Sequence, residues 1–112
     1  MNFINKEHEH FFEECSQPYP DRERQAAFYV LGLSSRLIQH INDLVDSDGI
    51  FNTEFNWSWM TEHDQQLYLY ALNLYNGFVD ERTAYRSTPK YLFRNFGNTI
   101  DYLYYAMKLL ES

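Results

Sequence analysis

The sequence has little cysteine, proline and glycine. It contains one cysteine, Cys15, so no internal disulfide can form, and a reducing, intracellular location is expected. Three prolines and four glycines lie scattered among 112 residues, and no repeat, low-complexity run or linker divides the chain. The sequence therefore predicts a single helical domain that spans residues 1–112.

Long apolar runs are also missing. The opening "MNFINKEHEH" becomes charged before an apolar segment can form, which argues against a signal peptide. No segment approaches the roughly 20 apolar residues of a membrane span. We therefore expect no membrane partner and a location in the cytoplasm of a bacterial host cell.

Positive charge is scarce. Sixteen acidic residues face nine basic ones, which gives a net charge of −7 at pH 7. This balance disfavours binding to duplex nucleic acid and to anionic membranes. It suits a protein partner with a basic surface, although net charge can also serve only to keep a small protein soluble.

Aromatic residues, in contrast, are abundant. Ten tyrosines, nine phenylalanines and two tryptophans make up 19% of the chain. Phenylalanine belongs in a core, whereas tyrosine is enriched at core edges and at interfaces. The number of tyrosines exceeds what a core of this size needs, so some are expected at a binding surface.

Local signals divide the chain into helices. Asn5 and Asp21 are predicted N-caps, Thr61 and Asp64 form a predicted capping box, and Pro89 suits the first position of a short helix. A further helix is expected over "SSRLIQHINDLVD", and the last over "TIDYLYYAMKLLES". The predicted fold is all-α, an irregular bundle of four main helices plus a short fifth or sixth, with helical content of about 60%.

The helix in "LYLYALNLYNG" presents a wide apolar arc. Helical spacing places Leu67, Ala71 and Leu74 on its inner face, and Tyr68 and Tyr75 on a flank that could meet a partner. In the last helix the same argument turns Tyr102 and Tyr105 outward and leaves Tyr104 at the boundary. The residues expected to point inward there are Ile100, Leu103, Met107 and Leu110.

The segment 46–61 lacks clear periodicity, and its role stays open. A short hairpin through Ile50 to Phe55 is one interpretation. Trp57 and Trp59 flank Ser58, and each is either a lid on the core or an interface anchor. The interaction residues predicted from the sequence are Trp57, Trp59, Tyr68, Tyr75, Tyr102 and Tyr105.

Basic residues recur every four positions near the end of the chain, at Arg82, Arg86, Lys90 and Arg94. Pro89 interrupts any continuous helix through them. Solvated charges that pair with nearby acids are one interpretation, and an anion-binding site is the other.

No catalytic residue, metal site or cofactor is predicted. His8 and His10 are two positions apart, so a helix directs them differently, and His8 lies on the apolar face. A calcium loop built around Asp46 would lack its first and last ligands. His63 sits in the first turn of a helix without a nearby nucleophile. A small metal-dependent enzyme or ligand-binding protein built on these histidines remains an alternative.

The stretches "DRERQAAFYVLG", "LYNG" and "YAMKLL" resemble a small family of uncharacterised proteins from Gram-positive bacteria and their phages. The similarity covers most of the chain from "FINKEHEHFF" onward. The resemblance implies a phage or mobile-element context, in which small acidic proteins include inhibitors of host defence. It carries no catalytic residues.

Charge, tyrosine content and the resemblance together predict a non-enzymatic protein-interaction module. Its expected role is to inhibit a bacterial defence or nucleic-acid enzyme, in the manner of an anti-CRISPR protein. A homo-oligomeric structural protein, with tyrosine faces that form a homodimer, is a further alternative.

Overall fold

The computed structural model describes residues 2–54 and 56–111, and over these residues the chain is 67% helical, with no strand. The helices, in chain order, are α1 (Lys6–Ser16), α2 (Arg22–Leu31), α3 (Ser35–Gln39), α4 (Ile41–Leu44), α5 (Glu62–Asn76), α6 (Pro89–Phe96) and α7 (Ile100–Leu109). Short 3₁₀ turns span Trp57–Trp59, Ala84–Ser87 and Gly97–Thr99. The predicted all-α fold is confirmed.

The helix ends follow the predicted local signals. The side chains of Asn5 and Asp21 accept backbone N–H groups in the first turns of α1 and α2. Thr61 and Asp64 form a reciprocal capping box at the start of α5. The last turn of α5 is closed by Gly77, whose φ of 78° lies in the left-handed region that favours glycine.

Helix α2 is the centre of the molecule. Its residues from Ala26 to Leu31 are all buried, and it packs against α1, α5 and α7. A helix that is apolar nearly all round can be stable only when it is covered on several sides. Helices α1, α5 and α7 therefore cover α2, and their outer faces contribute to the protein surface.

The predicted third helix is two short helices. The chain leaves helical geometry at His40, where φ is −103° and ψ is 18°, and it restarts at Ile41. The His40 ring stacks on Trp59 at 3.8 Å between ring centroids. This stacking ties the junction to the 3₁₀ turn of the irregular segment.

The hairpin considered for Ile50 to Phe55 is reduced to one antiparallel bridge, between Val45 and Phe51. Asp46 closes the turn between them by accepting the N–H groups of Asp48 and Ile50. Phe55 lies outside the described residues. The aspartate-rich turn is thus held by the Asp46 carboxylate, and Arg24 donates to the carbonyl oxygen of Gly49 from outside the turn.

Within the described residues, the longest helix is α5, with 15 residues, and no helix is long and apolar enough to cross a membrane.

Candidate functional site

Two of the predicted interaction tyrosines, Tyr102 and Tyr105, line an open cleft between α7 and the segment that precedes α1. The cleft has a volume of ≈740 Å³. We call it the tyrosine cleft. Its lining is Asn2, Phe3, Ile4, Tyr29, Asn98, Thr99, Asp101, Tyr102, Tyr104, Tyr105 and Lys108.

Tyr29 anchors the tyrosine cleft. Its side chain is fully buried, and its hydroxyl donates to the carbonyl oxygen of Asn2 at 2.6 Å. Burial raises the pKa of Tyr29, with smaller contributions from the phenols of Tyr102 and Tyr105. The phenol therefore stays protonated, and its hydrogen bond holds the chain start against α2.

The opposite wall comes from α7. The Tyr105 and Tyr29 rings lie 5.2 Å apart between centroids, and both Tyr102 and Tyr105 are half-buried. Tyr104 is 57% exposed and carries the Lys108 ammonium over its ring at 4.9 Å. The wall therefore presents phenol rings whose outer edges reach solvent, as at protein interfaces.

The prediction for the inner face of α7 was partly wrong. Leu103 is buried as expected, but Met107 is 44% exposed, and Ala106 and Leu109 are buried instead. The helix is rotated so that Met107 and Tyr104 face outward. Helix α7 packs against α2, and its buried stripe runs through Leu103, Ala106 and Leu109 at three-residue spacing, which leaves Met107 on the outer side.

Tyr68 does not belong to a partner-facing rim, which corrects the sequence-based prediction. Its side chain is fully buried, and its hydroxyl lies 3.0 Å from the carbonyl oxygen of Leu44 and 2.7 Å from that of Asn52. Burial raises its pKa, so the group donates as a neutral phenol. Tyr68 therefore ties α5 to the segment around the bridge.

Tyr75 is half-buried, and its ring packs against other side chains of the same chain. Its ring stacks on Phe51 at 4.6 Å, and the Arg24 guanidinium lies 5.5 Å from its centroid. The same guanidinium lies 5.0 Å from the Tyr19 ring and pairs with Asp21 at 3.1 Å. Two tyrosines and a carboxylate thus hold one arginine.

The two tryptophans predicted as interaction residues lie away from the tyrosine cleft, in the 3₁₀ turn Trp57–Trp59. Both are half-buried and pack against the core. Trp57 borders a shallow cleft of ≈400 Å³ that also includes Val79 and Arg82. The structure therefore brings one predicted interaction residue beside one predicted anion-binding residue.

Two of the four basic residues predicted as an anion site, Arg82 and Arg86, have acidic neighbours. Arg82 contacts both carboxylate oxygens of Asp80 at 3.2 Å, and Arg86 lies 3.9 Å from Glu62. Lys90 and Arg94 are exposed on α6 and form no ion pair with any described residue. These contacts favour the interpretation of solvated, locally paired charges, and the anion site stays a prediction.

The histidines are not assembled into a site. His8 is buried between Phe3 and Tyr29, and burial lowers its pKa. His10 pairs with Glu14 at the surface, at 3.1 Å. Across residues 2–54 and 56–111, no group of three or more histidine, cysteine or acidic side chains could hold a metal ion. Burial also raises the pKa of Cys15 to about 11, so its thiol is protonated at neutral pH.

A third cleft, which we call the apolar cleft, has a volume of ≈390 Å³ and lies between α5, α6 and α7. Its walls are largely apolar, with Leu69, Phe78, Val79, Leu92 and Met107 among them. Its polar side chains are used internally. Tyr70 donates to the carbonyl oxygen of Leu103, for example, at 2.7 Å.

Sequence reasoning did not select Phe3, Tyr29, Asp101 or Lys108. One signal could have found part of the tyrosine cleft. Asp101, Tyr104, Tyr105 and Lys108 follow helical spacing of three and four residues, which places them on one face of α7.

Comparisons with known proteins identify a family but no activity. Searches of curated proteins and of solved structures gave no match. A family model matches residues 1–111. The chain therefore belongs to the family of unknown function DUF6075, in agreement with the resemblance to an uncharacterised family.

Proposed function

We propose that this protein is a non-enzymatic interaction module that binds another protein through the tyrosine cleft. The observation that carries the proposal is the convergence of Tyr102, Tyr104 and Tyr105, all of which keep some exposure, on one open cleft over the buried Tyr29. Tyrosine supplies large contact area at a small cost in side-chain entropy, and it is enriched in interface hot spots.

The charge of the chain supports a basic partner. A net charge of −7 accelerates association with a basic surface and slows it with an acidic one. In its finer form, the proposal is that the partner is a bacterial defence or nucleic-acid enzyme, which the protein inhibits by occupying a basic groove, as an anti-CRISPR protein does. Acidic charge and the resemblance to phage proteins support this form.

The test uses purified components. A panel of CRISPR effectors and other defence nucleases is assayed for cleavage with the full chain or with the double variant Tyr102→Ala/Tyr105→Ala. We expect inhibition of at least one nuclease, slower association at high salt, and loss of both effects in the variant. Circular dichroism establishes that the variant is folded.

Two outcomes would overturn the proposal. Inhibition that is equal in the folded double variant and the unchanged chain would show that the tyrosine cleft is not the interface. No binding to any nuclease, together with a dimer that the double variant abolishes in light scattering, would assign the cleft to a second copy of this chain.

A further inference from the structure

We infer that the tyrosine cleft binds an arginine side chain of the partner, with Asp101 as the pairing carboxylate. The inference rests on the proposed function, because it assigns the chemistry recognised by the same cleft. It is carried by the arrangement of charge and aromatic rings on α7.

The pairing carboxylate is already in place. Asp101 lines the cleft one helical turn before Tyr104 and Tyr105, and its side chain is exposed. No described residue forms an ion pair or hydrogen bond with it. A carboxylate beside aromatic rings is the combination that binds a guanidinium, which stacks on rings and donates in a planar fork.

The cleft already receives a cation from within the molecule. The Lys108 ammonium lies 4.9 Å from the centre of the Tyr104 ring. In this contact the face of the Tyr104 ring binds a positive charge. It also places a like charge at the far end of the cleft, seven residues from Asp101, where it would oppose an incoming arginine.

The same combination of groups binds an arginine elsewhere in the chain. Arg24 lies 5.0 Å from the Tyr19 ring and 5.5 Å from the Tyr75 ring, and it pairs with Asp21 at 3.1 Å. There, the tyrosines, the carboxylate and the arginine all belong to one molecule. In the tyrosine cleft, α7 supplies the rings and the carboxylate, and the partner supplies the arginine.

The experiment titrates the isotopically labelled full chain with acetyl-Gly-Gly-Arg-Gly-Gly-amide and follows backbone amides by NMR. Matched peptides carry citrulline, which has the shape of arginine without its charge, or lysine. We expect shifts over residues 98–108 and near Phe3. The arginine peptide should bind about fivefold more tightly than the citrulline peptide, with lysine between them.

Variants separate the effect of the Asp101 carboxylate on peptide binding from the effect of the net charge of the chain. Asp101→Asn should weaken binding of the arginine peptide about three- to fivefold, and Lys108→Met should strengthen it. The exposed Glu13, which lies outside the cleft, provides the matched control: Glu13→Gln makes the same change in net charge as Asp101→Asn and should leave binding unchanged.

Equal binding of the arginine and citrulline peptides would overturn the inference, as would equal effects of Asp101→Asn and Glu13→Gln. Shifts confined to the apolar cleft between α5, α6 and α7, or binding of a single-stranded oligonucleotide in place of the peptide, would also overturn it. If any of these occurs while Tyr102→Ala/Tyr105→Ala still abolishes nuclease inhibition, the proposed function stands and only the arginine assignment fails.

Discussion

Both ring nitrogens of the buried His8 form hydrogen bonds with the backbone. Its Nε2 atom donates to the carbonyl oxygen of Tyr29 at 2.7 Å, and its Nδ1 atom accepts the N–H of Ile4 at 3.1 Å. Because Nδ1 must be an acceptor, the ring is neutral, with its proton on Nε2. One histidine thus fixes the segment that forms a wall of the tyrosine cleft.

This arrangement predicts a loss of stability in mild acid. Burial lowers the pKa of His8 in the folded protein. Below about pH 6.5 the unfolded chain therefore binds more protons than the folded one. The free energy of unfolding should be highest above that pH and fall as pH decreases. Urea titrations between about pH 7.5 and 5 measure the slope.

Variants at His8 and His10 isolate the His8 contribution. His8→Gln cannot titrate and retains a donor toward the Tyr29 carbonyl, so its stability should depend less on pH over this range. His10→Gln changes an exposed histidine and should retain the slope of the unchanged protein. An equal slope in the unchanged chain and His8→Gln would contradict the prediction.

Asp64 connects α3 to α5 as well as capping α5. Its carboxylate accepts the Ser34 hydroxyl at 2.7 Å and pairs with Arg36 at 3.0 Å, although the side chain is almost fully buried. Asp64→Ala should cost about 2–4 kcal/mol, because hydrogen bonds to a charged group are lost and the Ser34 hydroxyl is left without its acceptor. Asp43→Ala, at an exposed aspartate, should change stability by less than about 0.5 kcal/mol.

The pKa of Asp64 adds a second pH dependence. Burial raises this pKa, but hydrogen bonds from Ser34, Arg36 and Thr61 outweigh burial, and the net effect lowers it. Its contribution to stability is therefore present above about pH 3.9 and is lost as pH falls through the folded-state pKa. The free energy of unfolding should therefore fall more steeply with decreasing pH below about 3.9 in the unchanged chain than in Asp64→Ala, which lacks this contribution, and urea titrations across this pH range measure the difference.

Gly32 and Gly77 are required for different reasons. A Cβ at Gly32 would lie 2.5 Å from Cδ2 of His8, whereas one at Gly77 would meet no atom within 4 Å. Gly32→Ala should cost about 1–3 kcal/mol, because the well-packed ring of His8 must move. Gly77→Ala should cost about 1 kcal/mol through its positive φ alone. Thermal unfolding of both variants tests the difference, and a more stable Gly32→Ala would contradict it.

Removing single hydroxyls distinguishes the internal tyrosine from the cleft tyrosine. Tyr68→Phe should cost about 0.5–1.5 kcal/mol, since the hydroxyl bridges two backbone carbonyls, and it should leave association with a partner intact. Tyr102→Phe should leave stability nearly unchanged. Weaker partner binding by Tyr68→Phe at temperatures where it is fully folded would show that Tyr68 has a role in recognition.

Leu72 and Leu74 should contribute differently to the free energy of unfolding. Leu72 is fully buried, whereas Leu74, which helical spacing assigns to the inner face, is half-buried. Leu72→Ala should cost about 2–5 kcal/mol, and Leu74→Ala less than half of that. Equal losses in urea unfolding would mean that Leu74 is as tightly packed as Leu72.

Local signals in the sequence determined where the main helices begin and end. The Asn5 and Asp21 caps and the capping box of Thr61 with Asp64 all involve partners within about four residues. Such contacts depend on chain geometry that every helix shares, so composition and spacing sufficed to predict them. The all-α class was predicted from the same signals, together with the helical spacing of the apolar residues.

The tertiary structure alone decided which tyrosines face solvent. The helical spacing of apolar residues defines an apolar arc on each helix, but it does not show which edge of that arc meets a neighbouring helix. The hydroxyl of the buried Tyr68 meets backbone carbonyls from residues 44 and 52, and Tyr102 lines a cleft whose other side is formed by residues 2–4. These partners lie 16 or more residues away along the chain, and their approach depends on how several helices pack at once, which no local spacing encodes.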